Sequence, residues 1–365
     1  MSYIKSLLDN DLYSFTQQNA ILEHYPNALA TYKFTNRNTD MKFNKNSYDA
    51  IVKNIKALGD LIFTESELKF IDDYKFIDRN YHFKPEQVTV DFFDGDLDVI
   101  IHGPWCETVF FEVPLLAIIS EAYFEFVDKE WRETNWISEQ FAKATEKAEK
   151  LATINDKFTD FGTRRRRSYE IQDLVVETLK NSKVPNFFGT SNVHFAHKHA
   201  ICPVGTMAHQ WFMGVSALES LRYANRFALL KWQETYKLPG FALTDTYGTN
   251  AFFQDFTIKL ANLYSGLRHD SGCPFKFADK AIKHYENIDI DPNTKLIIFS
   301  DGLDVQKALN ISKHCKGRIN CSFGIGTHFS NDINDSKPLN IVIKLHAING
   351  IPVVKLSDDL GKTIG

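Results

Sequence analysis

The sequence predicts an α/β protein whose second part is a (β/α) barrel, and three observations carry that reading. From about residue 155, short apolar runs recur, each stopping at glycines and small polar or charged residues: "KFTDFGTRRRR", "NFFGTSN", "ICPVGTMAH", "GFALTDTYGT", "NLYSGLRHDSG", "KLIIFSDGLD" and "CSFGIGTHFSND". Helical stretches such as "ALESLRYANRFALLKWQETY" and "FADKAIKHYENI" lie between several of them. Buried strand, polar tip, covering helix and next strand is the rhythm of a parallel sheet, whose strand ends line the site. The third observation is bulk: 365 residues, 44% apolar and 24% charged, suffice for one large or two ordinary globular domains.

Along the chain, "MSYIKSLLDNDLYSF" is too polar for a secretory signal. The first third mixes strands, "ALATYKFTNRN" and "VTVDFFDGDLDVIIHGPW", with a helix over "SYDAIVKNIKALGDL". Alternation in "LDVIIHG" suits a half-buried strand ending at Gly103-Pro104. "LLAIISEAYFEFVDKEW" then predicts a long amphipathic helix running on through "SEQFAKATEKAEKLATI", a bridge between two domains. No run approaches the roughly 18 apolar residues a membrane span needs. A net charge of -4 gives no basic field for nucleic acid, though a local pocket for small anions stays open. The five cysteines are scattered without a CxxC pair, which argues against a disulfide framework and for a reducing cytoplasm.

The polar tips hold the chemistry. Four consecutive arginines, Arg164 to Arg167, cannot all face one site; one or two are expected in a pocket, forking onto a carboxylate or phosphate. In "GLRHDSG", Asp270 beside Arg268 is placed to hold ribose hydroxyls or Mg²⁺, or simply to cap a helix. The glycines of "FSDGLD" and "FGIGTHFSND" let backbone N–H groups approach an anion. His194, His197 and His199 have a spacing that does not converge on one helix face, so no metal site is expected there. His209, in "PVGTMAHQW", is either a satisfied core histidine or a reacting group beside a phosphate-binding turn.

Taken together, "LLDNDLYSFTQQNAILEHYP", "IHGPWCETVFFEVPLLAIISEAYF", "DFGTRRRRS", "FGTSNV", "GTMAHQW", "LTDTYGT", "RHDSG", "FSDGLD" and "FGIGT" resemble the nicotinate phosphoribosyltransferases, in order and over almost the whole chain. The resemblance implies an amino-terminal α/β sandwich over residues 1–135, joined by 345–365, and an irregular (β/α) barrel over 136–344. It implies formation of nicotinate mononucleotide and pyrophosphate from nicotinate and phosphoribosyl pyrophosphate, coupled to ATP cleavage, in NAD salvage, with Mg²⁺ expected. His209 matches the histidine that ATP phosphorylates. Tyr13 and Phe161 match the aromatics on the two faces of the pyridine ring, and Arg164, Arg268 and Thr206 match its carboxylate end. Asp245, Asp270, Gly302, Gly324, Gly326 and Thr327 match ribose- and phosphate-binding tips.

Related nicotinamide enzymes carry an aspartate where this chain has Ser191, so the serine implies the acid as substrate; a nicotinamide enzyme and a catalytically idle barrel are the alternatives. The resemblance further implies a homodimer in which Tyr13 reaches the partner's site. Two departures stand out: Cys273 replaces a common acidic residue, and the chain stops at "VKLSDDLGKTIG" where family members continue.

Overall fold

The computed structural model describes residues 2–72 and 78–359. Twelve strands form two sheets. In chain order they are β1 (Leu29–Asn36), β2 (Val88–Phe93), β3 (Asp96–Pro104), β4 (Lys157–Asp160), β5 (Phe187–Thr190), β6 (Cys202–Pro203), β7 (Phe241–Leu243), β8 (Gly266–His269), β9 (Leu296–Phe299), β10 (Asn320–Ile325), β11 (Ile341–Ile348) and β12 (Ile351–Pro352).

The first sheet is antiparallel, ordered β12-β11-β1-β3-β2. Its β2–β3 hairpin turns on Asp94-Gly95, both at positive φ (48° and 81°), the pair of left-handed residues that a tight two-residue turn requires. The closing strands β11 and β12 come from beyond the barrel, and their return begins at Ile341, ahead of the residue 345 expected from sequence.

Each apolar run of the second part is a strand of a parallel sheet ordered β6-β5-β4-β10-β9-β8-β7, curled into an incomplete barrel with β6 and β7 at its edges. The carboxyl ends of these strands gather Phe161, Ser191, Thr206, Asp245, Asp270, Gly302 and Gly326 on one side.

The expected long bridging helix is two helices, Glu112–Phe126 and Trp136–Leu151. The first is not amphipathic: every residue from Val113 to Phe124 is buried, because the helix is covered by the helix Lys45–Ala57, by β11 and by the turn Thr163–Arg165. It stops because Trp131 folds back and donates its indole N–H to the Phe124 carbonyl at 2.9 Å, satisfying an acceptor that the helix end leaves open. The Arg167 guanidinium lies 3.5 Å from the centre of the Phe124 ring and 5.6 Å from that of Trp131, which fixes the corner. Among the described residues no helix is long and apolar enough to cross a membrane.

Candidate active site

A cavity of about 550 Å³ opens over the carboxyl ends of the barrel strands. One wall carries His209, Arg268 and Asp270; another carries Asp11, Tyr13, Glu112, Phe161, Arg164 and Ser191; Gly302, Gly326 and Thr327 lie at the glycine-rich tips.

His209 is the first residue of the helix His209–Leu218. Its Nδ1 lies 3.0 Å from the Thr246 hydroxyl. Its Nε2 lies 3.0 Å from Asp270 Oδ2 and 2.8 Å from Lys355 Nζ. An ammonium only donates, so Nε2 either accepts from Lys355, with Nδ1–H on Thr246, or donates to Asp270; the two tautomers exclude each other. Burial and the Lys355 charge hold the imidazole below its ordinary pKa, so the neutral ring is favoured.

Burial pushes the Asp270 carboxyl up, but Arg268 and His209 outweigh it and hold it well below the usual carboxylate range. Arg268 is tied down by its neighbours: Nε donates to Ser300 at 2.8 Å, NH1 to Thr206 at 2.9 Å and NH2 to Asp270 at 3.0 Å. Asp245 sits behind His209, 3.6 Å from Nε2, and meets Lys355 at 3.2 Å and the Ser271 hydroxyl at 2.5 Å.

Lys355 was not among the residues expected from sequence. It arrives on the segment after β12, which straps itself over the ends of β7 and β8. Leu356 N–H donates to the Thr246 carbonyl at 2.8 Å, Thr249 N–H to Asp358 at 2.9 Å and Gly272 N–H to Asp359 at 3.2 Å. The strap brings carboxylates to the turn before Cys273, the position where an acidic residue is common in the resembling family.

The expected Mg²⁺ can be tested on these groups. His209, Asp245 and Asp270 bring donor atoms within 4.8 Å of one another. However, Lys355 already stands among them and Arg268 neutralises Asp270, and one imidazole with two paired carboxylates is a poor set for a hard cation that prefers oxygens. The chain's own residues do not fit a preformed Mg²⁺ cage.

The four arginines divide cleanly. Arg164 and Arg165 line the cavity. Arg166 is fully buried, paired with Asp9 at 2.8 and 3.0 Å and with Glu121 at 2.7 Å, and Arg167 is fully buried against Asn331. Arg165 spends its Nε on the Ile341 carbonyl. Arg164 is the freer one: NH1 approaches Glu112 Oε1 at 3.4 Å, its only hydrogen-bond partner among the described residues. Ser191 donates to Asp11 Oδ1 at 2.7 Å, so its hydroxyl proton is committed to a carboxylate of the same chain. Neither Asp11 nor Glu112 was singled out in the sequence.

The structure locates three further expected residues. Tyr13 lines the cavity of its own chain together with Phe161. Gly324 is not a phosphate tip: it lies beneath the Phe161 ring, where a Cβ would come within 2.4 Å of Cδ2, so it is there to seat the aromatic. Asp245 is buried, and it reaches the cavity through His209 and Lys355. Of the clustered histidines, His194 meets the Tyr169 hydroxyl and His199 meets Asp173.

Comparison with known proteins places this geometry. Residues 157–365 match the model of the nicotinate phosphoribosyltransferase (NAPRTase) family, and residues 8–120 match that of its N-terminal domain. The chain is 45% identical to a nicotinate phosphoribosyltransferase of Methanosarcina acetivorans, covering 99% of this chain and 95% of that one. It is 43% identical to one of Yersinia pseudotuberculosis, covering 99% and 92%. The crystal structure of nicotinate phosphoribosyltransferase from Porphyromonas gingivalis superposes with a TM-score of 0.93 at 37% identity, over 99% of this chain and 96% of that one. That from Vibrio cholerae does so with a TM-score of 0.91 at 37% identity, over 100% and 90%. The chain belongs to the nicotinate phosphoribosyltransferase family.

Proposed function

We propose that this member of the family joins nicotinate to phosphoribosyl pyrophosphate, releases nicotinate mononucleotide and pyrophosphate, and couples the transfer to ATP cleavage through His209, in NAD salvage in the cytoplasm. The observation that carries the reading is what two walls of one cavity bring together. A neutral, partly buried imidazole at a helix start stands beside Lys355, opposite an aromatic and an uncommitted arginine.

In the transfer, the pyridine nitrogen forms its bond to ribose C1 as the bond to pyrophosphate breaks, and the leaving group takes the electron pair. Phe161 and Tyr13 would hold the flat ring in line, and Arg164 would take its carboxylate. Gly302, Gly326 and Thr327 line the cavity, and their backbone N–H groups would take the phosphates. Mg²⁺ is expected to come with the pyrophosphate of the substrate, not in a cage of the chain's own.

For the ATP step, the tautomer with Nδ1–H on Thr246 puts the nucleophilic lone pair on Nε2, freed when the Lys355 ammonium turns from it to the incoming phosphate. The γ-phosphoryl forms a bond to Nε2 as ADP leaves, the imidazole proton stays on Nδ1, and Lys355 pairs with the new charge. Phosphorylation beside the tips would tighten substrate binding, while the glycosyl transfer itself needs no phosphohistidine because pyrophosphate is already the leaving group. The assembly expected is a homodimer with composite active sites.

Asp11 beside Ser191 favours the second reading, a nicotinamide enzyme, since a carboxylate accepts from an amide; the open Arg164 fork favours the acid. Labelled ATP with an alkaline quench, alongside mononucleotide formation from each base, tests both. Native protein should trap acid-labile label and consume nicotinate in preference to the amide. His209→Asn should trap none yet retain slow, ATP-independent transfer. Label on the variant, or equal use of the two bases by native protein, would refute the reading.

A further inference from the structure

At the pyridine end of the cavity two carboxyls, Asp11 and Glu112, depend on one cation, Arg164. Arg37 and Arg165 line the cavity too, and Arg165 gives its Nε to the Ile341 carbonyl. The other groups nearby do not redress the balance. Asp9 is paired with Arg166, and Arg268 is paired with Asp270. Asp160, just behind Asp11, accepts from Thr190 at 2.8 Å, Gln172 at 3.0 Å and the Gly162 N–H at 2.9 Å, with no cation in contact. Facing Glu112 are Arg164 from the turn after β4, Tyr13 from the helix Leu12–His24, Asp11 just before that helix, and Gln210, which donates to Oε2 at 3.1 Å and itself accepts from Tyr32. The Tyr13 hydroxyl is buried beside Glu112 without a well-formed hydrogen bond.

An anionic ligand entering here competes with Glu112 and Asp11 for Arg164. If its carboxylate takes the Arg164 fork, Glu112 loses its 3.4 Å contact and is left buried opposite a like charge. We propose that the cavity takes up a proton from solvent together with nicotinate, and that the Glu112 carboxyl holds it until the mononucleotide leaves, an inference that rests on the nicotinate reading above. Protonated, Glu112 becomes a donor within reach of the ligand carboxylate or of the Tyr13 oxygen, and the repulsion disappears. Asp11 is the poorer site for the proton because it already receives the Ser191 hydroxyl. Burial pushes both carboxyls above the ordinary range even with Arg164 opposing, so the free protein is already inclined toward this protonation. Nicotinamide, being neutral, does not displace Glu112 by charge and requires no proton. The pair Glu112–Arg164 is therefore a specificity determinant that works through a proton.

The test is calorimetric titration of the full chain with nicotinate and with nicotinamide, in buffers of different ionisation enthalpy at about pH 7.5, where the slope of heat against ionisation enthalpy counts protons. Nicotinate should bind with uptake approaching about one proton per site and nicotinamide with about none, and nicotinate affinity should fall toward tenfold per pH unit on the alkaline side. Glu112→Gln should bind nicotinate with no uptake and a flat pH profile. Nicotinate binding by the native protein without uptake overturns the proposal while leaving the function intact, and so does undiminished uptake in Glu112→Gln. If that variant does not fold, the native comparison of acid and amide decides alone. Absence of nicotinate binding at any pH fails the functional reading, and the proton with it.

Discussion

Replacing Ser191 by aspartate would place a second carboxylate against Asp11. In the native chain the Ser191 hydroxyl donates to Asp11 Oδ1 at 2.7 Å and both side chains are buried. The substitution exchanges a donor for an acceptor and brings like charges to about 4 Å, where at an effective dielectric constant of about 20 they repel by about 4 kcal/mol. That is enough to lift the second ionisation of the pair by about three pH units, into the neutral range. Burial already holds the Asp11 carboxyl up, so the pair will keep one proton at neutral pH and lose it in alkali. For nicotinate we expect KM to rise on the order of tenfold near neutrality and further toward about pH 9, with kcat less affected, as the second charge develops. Nicotinamide should lose much less, because its amide N–H can donate to the freed carboxylate oxygen. Initial rates with each base between about pH 6 and about pH 9, with a denaturation midpoint at each pH, make the measurement. A nicotinate KM that is unchanged and independent of pH, at native stability, would refute the electrostatic account of this end of the cavity.

Two further outcomes concern what holds the site in place. Gly214→Ala, in the helix that begins at His209, would set a Cβ 2.2 Å from Cη2 of the fully buried Trp105, whose indole N–H is fixed on Tyr32 at 3.0 Å. Overpacking of this kind costs about 1–3 kcal/mol, against up to about 1 kcal/mol regained from helix propensity, so the urea midpoint should drop and activity with it; an unchanged midpoint refutes the contact. Arg166→Met would strand Asp9 and Glu121 and cost about 3–5 kcal/mol. Burial already raises Glu121 to about 7 while Arg166 serves chiefly Asp9, so both abandoned carboxyls would titrate above their unfolded values. The loss is then fully present above those raised values and shrinks as pH falls through them, so denaturation should show a smaller deficit at about pH 5 than at about pH 8. A deficit that does not vary with pH would contradict this.

The barrel was legible because its strands are short apolar runs that end in glycine or charge, and that boundary is local. The tips around Phe161, Arg268 and Asp270 followed from it, since a strand's carboxyl end faces the site whatever the rest of the chain does. What was not legible depends on distant contacts. The break at Val127 is made by Trp131 and Arg167 together, and an apolar run gives no sign of an indole folding back. Gly324 reads like any phosphate-loop glycine until the Phe161 ring is placed over it. Glu112 and Asp11 look like ordinary helix-start acids; only the arrival of Arg164 gives them a role. Lys355 carries no motif at all, because its meaning lies in reaching His209 from the far end of the chain. The residues alone gave the division of the arginines as a count and the resemblance pointed to Arg164, but the burial of Arg166 was not legible, because it requires partners from two other segments, Asp9 and Glu121.

Strand β1 lies between β3 and β11, and β11 follows every strand of the barrel. On the ribosome, at about 5–20 residues per second, β1 must wait on the order of 15–60 s with one edge unpaired while the barrel is synthesised. An open edge held that long is an invitation to pair with a neighbouring chain, and the burden of shielding it falls on chaperones or on speed of barrel closure. The same late segment delivers Lys355 to His209, so a nascent barrel that has already folded still lacks the cation of its reactive cluster. The proposed ATP step thus depends on a segment made only after the whole barrel, and a translation product interrupted before Ile341 would leave β1 with an open edge and His209 without Lys355.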